Sequence, residues 1–275
     1  MGILVFKNSI TLALCLMSTS VFATNCPQHY FNGQEPKLTI PLQQDQELCY
    51  TAFATGYSYS SKTAFYSAEH LTKKNVAAAK TLERIDSFHE DANLPETARA
   101  ELADYKGSGF DRGHLAPNAD MPNKDAQHES FSLANMVPQL HANNAGIWSD
   151  IETTTRVMAT KYGDVYVVTG GLYNASTQKL KNRIPVPNAM FKAIYTPKTG
   201  EAGVYVSDNN ADGHYKVISV DQLKKISGLD VFPGIPAKAK AIPAELPEAQ
   251  RIKGKKAVLD KKLHKLKNLL VGHLG

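Results

Sequence analysis

Alternation of hydrophobic and polar residues predicts an antiparallel sheet built from two distant parts of the chain. Strands are expected at 48–54, 63–69, 164–169, 189–195 and 202–207. The first two are expected to be joined through a turn near Gly56, and the pair Gly170-Gly171 to end the third. Because a few helices interrupt the strands without regular βαβ spacing, the pattern predicts an α+β fold, with a central antiparallel sheet flanked by helices.

Helical periodicity is clearest between residues 144 and 162, although the three consecutive threonines at 153–155 lower the intrinsic helix propensity. Shorter helices are expected at 76–85 and 219–227, and a further strand at 130–137. Residues 86–110 are expected to form a long loop with one helical turn at 95–102. The periodic apolar positions of the long helix are Ile147, Trp148, Ile151, Thr155, Met158 and Tyr162.

The first 23 residues have the pattern of a secretory signal peptide. Lys7 is their only charge, an apolar run follows at 10–17, and Val21-Phe22-Ala23 resembles a small-x-small cleavage site. A membrane anchor is the alternative, but the run is shorter than the ~20 residues that a spanning helix needs. We therefore expect no membrane span, and export to the periplasm or the medium.

Cysteine usage agrees with export. Cleavage after Ala23 leaves Cys26 and Cys49, and two cysteines in an exported chain usually form a disulfide bond. A reduced, buried pair is the alternative. A two-cysteine metal site is disfavoured, because no histidine or further cysteine lies near either residue at ligand spacing.

Positive charge is concentrated at the C-terminus. The formal net charge is +5, yet residues 251–275 hold Arg251 and seven lysines against Asp260, which leaves 24–250 net negative. Prolines and alanines dominate 236–250, so we interpret 236–275 as a linker and basic tail after a domain at 24–235. The tail has three interpretations: a nucleic-acid contact, a solvated end or a membrane-surface helix.

Two separated segments carry the chemistry of phosphodiester cleavage. In the run Asp111-Arg112-Gly113-His114, the histidine suits a general base, because its pKa of ~6.5 leaves it largely neutral near pH 7. Arg112 matches phosphate oxygens, and Gly113 is expected to let the backbone approach a bulky substrate. Asn144 offers a neutral oxygen ligand suited to Mg²⁺, and Glu152, two turns further along, is placed to hold metal-bound waters.

Each of these signals is weak alone. A single Asp-Arg-Gly-His run is also typical of a turn with a surface ion pair, and Asn144 is a plausible helix N-cap in any protein. Glu152 is equally compatible with a solvated helix face. The combination is specific: 111–117, the segment Leu133-Ala134-Asn135-Met136-Val137-Pro138-Gln139 and Asn144-x-Gly146-x-Trp148-x₃-Glu152 resemble the DNA/RNA non-specific endonuclease family, which has a ββα-metal finger.

The resemblance runs from about Tyr50 to Pro233, and it implies a role for each matching residue. By it, His114 is the general base and Asn144 the direct ligand of Mg²⁺, with Mn²⁺ as an alternative ion. Glu152 and Asn135 are similar to residues that support the metal-water shell or orient the base. Arg112 and, on a looser match, Arg84 resemble arginines that bind the substrate phosphate.

The same resemblance predicts the architecture of the site and the activity. The finger is expected to comprise strands near 112–116 and 130–137, followed by the helix from residue 144. A departure is Gly170-Gly171, where Gly-Pro is expected. The implied function is endonucleolytic hydrolysis of DNA and RNA to 5′-phosphate products by an enzyme that occurs as a homodimer in some relatives. A phosphodiesterase of small nucleotides and an inactive nucleic-acid-binding protein are the alternatives.

Overall fold

The computed structural model describes residues 25–39 and 44–249. The predicted signal peptide and the basic tail at 251–275 lie outside these residues. Within them, no helix combines the length and the apolar character that crossing a membrane requires. The domain boundaries proposed from the sequence stay predictions.

Strands and helices alternate irregularly along the chain. The strands are β1 (Lys37–Leu38), β2 (Gln46–Cys49), β3 (Ala54–Ser58), β4 (Thr63–Thr72), β5 (Asp111–His114), β6 (Met136–Gln139), β7 (Asp164–Leu172), β8 (Lys179–Leu180), β9 (Ile184–Pro185), β10 (Ala189–Thr196), β11 (Glu201–Asp208), β12 (Tyr215–Ile218) and β13 (Leu229–Asp230). The α-helices are α1 (Lys73–Ala79), α2 (Leu102–Tyr105), α3 (Lys124–Ser130), α4 (His141–Asn143), α5 (Ser149–Tyr162), α6 (Val220–Ser227) and α7 (Ala237–Ala241). Single 3₁₀ turns lie at Pro27–His29, Phe31–Gly33, Asn118–Asp120 and Leu133–Asn135.

A large antiparallel sheet organises the molecule. Among the described residues it has seven strands in the order β12-β11-β10-β7-β4-β3-β2. One face packs on α5 through Ile151 and Met158, and on Trp148 directly before that helix. The other face is covered by α6, α7 and the N-terminal 3₁₀ turns. The predicted α+β fold with a central antiparallel sheet and flanking helices is therefore confirmed.

The N-terminal strands are divided differently from the prediction. The expected strand at 48–54 is interrupted, because the chain turns at 50–53, where the Tyr50 amide donates to the Phe53 carbonyl at 2.9 Å. Gly56 therefore lies inside β3 rather than in a turn. The disulfide bond between Cys26 and Cys49, predicted from export, is present and ties the N-terminal arm to the end of β2.

Side-chain caps shift several helices from their predicted positions. Helix α1 begins at Lys73 because the Thr72 hydroxyl accepts from the Asn75 amide at 3.1 Å. A capping box between Glu101 and Asp104 starts α2 at Leu102, after the helical turn expected at 95–102. The strand expected at 130–137 is mostly helical, since α3 and a 3₁₀ turn occupy the chain up to residue 135.

Gly170 and Gly171 lie within β7 instead of ending it. A Cβ on Gly170 would come within 2.4 Å of the Phe65 carbonyl oxygen and 2.7 Å of the Phe191 ring. The strand therefore needs glycine for close packing against its neighbours rather than for a turn.

The segment after α7, interpreted as part of a linker, packs against the sheet. The Ala244 amide donates to the Ala202 carbonyl at 2.7 Å, and the Tyr205 hydroxyl donates to the Pro247 carbonyl. Leu246 packs over Gly203 on the face that holds α5. The prolines of this segment thus interrupt regular structure without separating the chain from the domain.

Candidate active site

The hairpin β5–β6 and the helix that follows it form the predicted ββα unit. The two strands pair antiparallel, with His114 opposite Met136 and Asp111 opposite Gln139. After β6 the chain passes through α4 and a wide π-type turn at Asn144–Trp148 before α5 begins at Ser149. The predicted continuous helix 144–162 is therefore broken at its start, where Gly146 has non-helical backbone angles.

Asp111 orients the proposed metal ligand. Its Oδ2 accepts a hydrogen bond from Asn144 Nδ2 at 2.9 Å and is 2.8 Å from His141 Nδ1. The side-chain oxygen of Asn144, Oδ1, has no hydrogen-bond partner among the described residues, so it is available to a ligand. The N-cap interpretation of Asn144 does not apply, because its backbone is helical and its side chain makes no cap. The role of Asp111 was missed in the sequence analysis.

His114 has an unused ring nitrogen in a desolvated position. Its Nε2 is buried and has no hydrogen-bond partner within the described part of the chain. The ring centroid lies 4.9 Å from that of Phe131 and 5.7 Å from that of Phe88. Burial, reinforced by the positive charges of Arg84 and Arg112, lowers the pKa of His114 to about 3. The imidazole is therefore neutral near pH 7.

These residues line one cavity of about 780 Å³. Arg112 stacks on Phe88, with 4.0 Å between the guanidinium carbon and the ring centroid. Arg84 also lines the cavity, 5.2 Å above the Phe131 ring, and pairs with Asp86 at 2.6 Å. Both arginines predicted to bind phosphate thus lie beside His114.

Glu152 enters the same cavity from α5, together with Arg156 one turn later. Burial raises the pKa of Glu152 to about 7, while the positive charges of Lys192 and Arg156 act in the opposite direction. Arg156 is held by Asp120, with 2.8 Å between Nη1 and Oδ1. The spacing of Glu152 and Arg156, four residues apart on one helix, was a usable signal for Arg156. Lys192, buried in β10, carried no such signal.

Asn135 lies outside the cavity lining, in the scaffold beneath the hairpin. Its Oδ1 accepts from the Ala116 amide at 3.0 Å and the Ser67 hydroxyl at 2.7 Å. Its Nδ2 donates to the Ala116 and Ser130 carbonyls, both at 2.9 Å. These four bonds use the whole amide and fix the backbone that follows His114. Of the two roles expected for Asn135, this geometry favours orienting the base over supporting the metal-water shell.

Gly113 is required for packing within the hairpin, and the expected approach of the backbone to substrate stays a prediction. A Cβ at this position would come within 2.2 Å of Gln139 Oε1. Gln139 in turn donates to Asn143 Oδ1 at 2.6 Å, directly before Asn144. The glycine therefore makes room for a side chain that fixes the start of the helical segment.

The chemistry of the donors suits a hydrated ion. Among the described residues, no three histidine, cysteine, aspartate or glutamate side chains come close enough to form a metal cage. A single neutral oxygen from Asn144, with two carboxylates nearby, fits an ion that keeps most of its waters. This donor set is compatible with Mg²⁺ and does not resemble a zinc site.

Several known nucleases are similar to this chain in sequence. Nuclease C1 of Cunninghamella echinulata var. echinulata is 32% identical over 203 residues, which cover 66% of this chain and 80% of that protein. Nuclease 1, mitochondrial, of Schizosaccharomyces pombe is 32% identical over 201 residues, 64% of this chain and 62% of that protein. Nuclease EXOG, mitochondrial, of Homo sapiens is 31% identical over 217 residues, 70% of this chain and 59% of that protein.

The matched part of the chain thus spans about three fifths of the length of the Schizosaccharomyces pombe and Homo sapiens proteins. The crystal structure of the EndoG/EndoGI complex contains a similar fold, with a TM-score of 0.63 at 24% identity, covering 70% of this chain and 88% of that one. Residues 32–238 match the family model described as DNA/RNA non-specific endonuclease, which is more than half of the chain. The chain therefore belongs to the DNA/RNA non-specific endonuclease family.

Proposed function

We propose that this protein is a metal-dependent endonuclease that hydrolyses phosphodiester bonds of DNA and RNA and leaves 5′-phosphate ends. One observation carries the proposal: a neutral histidine with an unpartnered Nε2 shares a cavity with an oriented amide oxygen and two arginines. A base, a metal ligand and phosphate-binding cations are the groups that this hydrolysis requires.

His114 accepts the proton of the attacking water through its neutral imidazole. Its depressed pKa keeps the ring unprotonated well below neutral pH, so the acceptor is present under ordinary conditions. Arg112, held in place by its stack on Phe88, binds the non-bridging phosphate oxygens together with Arg84. Water attacks phosphorus while the bond to the 3′-oxygen breaks, so the upstream fragment ends in a 3′-hydroxyl and the phosphate stays on the 5′-oxygen of the downstream nucleotide.

Asn144 would hold Mg²⁺ through its side-chain amide oxygen, and Glu152, from α5, would bind waters around the ion. Mn²⁺, which shares the preference for oxygen ligands, is the alternative ion. When bound, the ion stabilises negative charge on the phosphoryl and leaving oxygens. Asp111 accepts a hydrogen bond from the Asn144 NH₂ group, and this bond keeps the Asn144 Oδ1 atom pointing away from Asp111.

Plasmid cleavage by the purified protein tests the proposal. We expect nicking and linearisation with Mg²⁺ and none with EDTA, and we expect His114→Ala to lose most of the rate. His214→Ala is the matched control, because His214 is exposed and does not line the cavity. Equal cleavage by His114→Ala and the parent would refute the base, and cleavage in EDTA would refute the metal.

Two alternatives have their own readouts. A phosphodiesterase of small nucleotides would cleave dinucleotides as fast as long chains, whereas an endonuclease gains from length. An inactive nucleic-acid-binding protein would retain polynucleotides without cutting them. The unpartnered Nε2 of His114 favours catalysis, since binding alone does not require a buried free base.

Export to the periplasm or the medium is part of the proposal. The Cys26–Cys49 disulfide supports it, because such bonds persist in oxidising compartments. Several relatives carry "mitochondrial" in their names, so secretion is tested directly by fractionating expressing cells. A homodimer, implied by the resemblance, is tested by sedimentation of the purified chain.

A further inference from the structure

One part of the catalytic cavity is apolar and comes from a single stretch of chain. Leu102, Tyr105 and Phe110, which we call the apolar wall, all line the cavity. Leu102 and Tyr105 share one face of α2, three residues apart. Phe110 packs against the core cluster that contains Tyr105, and it directly precedes Asp111. The wall is thus built onto the first strand of the hairpin.

The wall is braced from behind. Arg183, in the β8–β9 turn, contacts Glu101 at 3.1 Å and Asp104 at 3.2 Å, at the two ends of the α2 capping box. The Leu102 amide donates to Glu90 at 3.2 Å. These contacts hold α2 in place, and the side chain of Leu102, which is 39% exposed, lines the cavity.

A nucleotide divides into the same two parts as the cavity. Its phosphate is charged, and its base is a flat group with an apolar face. Phe88, another aromatic group of the lining, has Arg112 over its ring and so belongs to the phosphate-binding part. The ring of Phe110 and the exposed side chain of Leu102 offer apolar surface of the kind on which bases pack.

We propose that the apolar wall binds the base of a nucleotide next to the scissile phosphate. The inference rests on the proposed function. Since every base has a stacking face, the wall adds affinity without reading sequence. In a duplex those faces are covered by neighbouring base pairs, so the wall favours an unpaired nucleotide and single-stranded substrate.

The test compares two short single-stranded DNA substrates of equal length, one of thymidylates and one of abasic tetrahydrofuran phosphates, with Mg²⁺. Phe110→Ala is expected to lower kcat/KM on the thymidylate strand about 5- to 140-fold, which corresponds to the roughly 1–3 kcal/mol of base stacking on an aromatic side chain. On the abasic strand the same variant is expected to match the parent within about twofold.

Leu102→Ala repeats the test without disturbing the residue before Asp111, and Ile226→Ala, an exposed apolar residue on α6, is the control. Equal losses on both strands for both variants would show that the wall only supports the hairpin, and would overturn the proposal. Parent kcat/KM that does not differ between the strands would also overturn it. Failure of the parent to cut either strand or plasmid would instead refute the proposed function.

Discussion

Removing the carboxylate of Asp111 tests how the metal ligand is oriented. Asp111 Oδ2 accepts from Asn144 Nδ2 at 2.9 Å, and this bond turns the amide oxygen away from Asp111. In Asp111→Ala the amide is free to rotate and to present its NH₂ group to the ion. A hydrogen bond to a charged acceptor contributes about 1.5–3 kcal/mol, and loss of such an orienting partner costs about 10- to 100-fold in metal affinity.

Because the Asp111 side chain is 33% exposed, water replaces part of the lost interaction, and we expect the lower half of that range. The assay is the rate of plasmid cleavage as a function of free Mg²⁺. The apparent Mg²⁺ constant should rise about 10- to 30-fold, while the rate at saturating Mg²⁺ falls less.

Two further variants separate orientation from charge. Asp111→Asn removes the charge but keeps an oxygen that accepts from Asn144, so its Mg²⁺ constant should lie between those of the parent and Asp111→Ala. His141→Ala removes the other partner of Asp111. Because the His141 side chain is 78% exposed, this change should alter the apparent Mg²⁺ constant by less than about twofold. If Asp111→Ala needs no more Mg²⁺ than the parent, the orienting role is refuted.

Three other changes test the scaffold and the base. Gly113→Ala should displace Gln139 and abolish most plasmid cleavage; normal cleavage would contradict the packing role of the glycine. Replacing Cys26 and Cys49 by serine opens a loop of 23 residues and should lower the free energy of unfolding by about 3 kcal/mol in urea titrations, an expectation that an unchanged midpoint would rule out. In the metal-free protein, His114 stays neutral in the folded state but becomes protonated in the unfolded state below pH ~6.5. The free energy of unfolding should therefore fall by up to about 2 kcal/mol as the pH is lowered from 7.5 to 5. His114→Phe should lack this pH-dependent fall, and an equal fall in the variant would contradict the role of His114.

Local sequence patterns located the chemistry better than the backbone that presents it. His114, Arg112 and Asn144 were found from residue type and spacing, and the structure brings them to one cavity with Glu152 and Arg84. The break at Asn144–Trp148 was not predicted, because the apolar positions of the helix continue through it with helical spacing. The break results from Gly146, whose backbone angles no periodic pattern records.

Contacts between distant segments were beyond reach of the pattern. Asn135 was expected to support the metal-water shell or to orient the base, but it makes four hydrogen bonds to the scaffold, and one of them comes from Ser67, which lies 68 residues earlier. Lys192, which is only 1% exposed, lies beside Trp148 in the middle of a strand. The alternation of polar and apolar residues predicts only that this position faces the core. Tertiary packing alone decides such cases.

In the proposed metal site, the residue that coordinates the cation differs from the residues whose negative charge attracts it. Asn144 is neutral, so its oxygen would replace only one of the waters around a bound cation. The cation would keep its other waters, which would lie near the phosphate. The negative charge that draws the cation comes from Asp111, bonded to the ligand itself, and from Glu152. Asp120 contributes less, since its charge is offset by its pairing with Arg156 at 2.8 Å. Binding of the cation should therefore favour the ionised form of Glu152, whose pKa burial raises to about 7 in the metal-free protein.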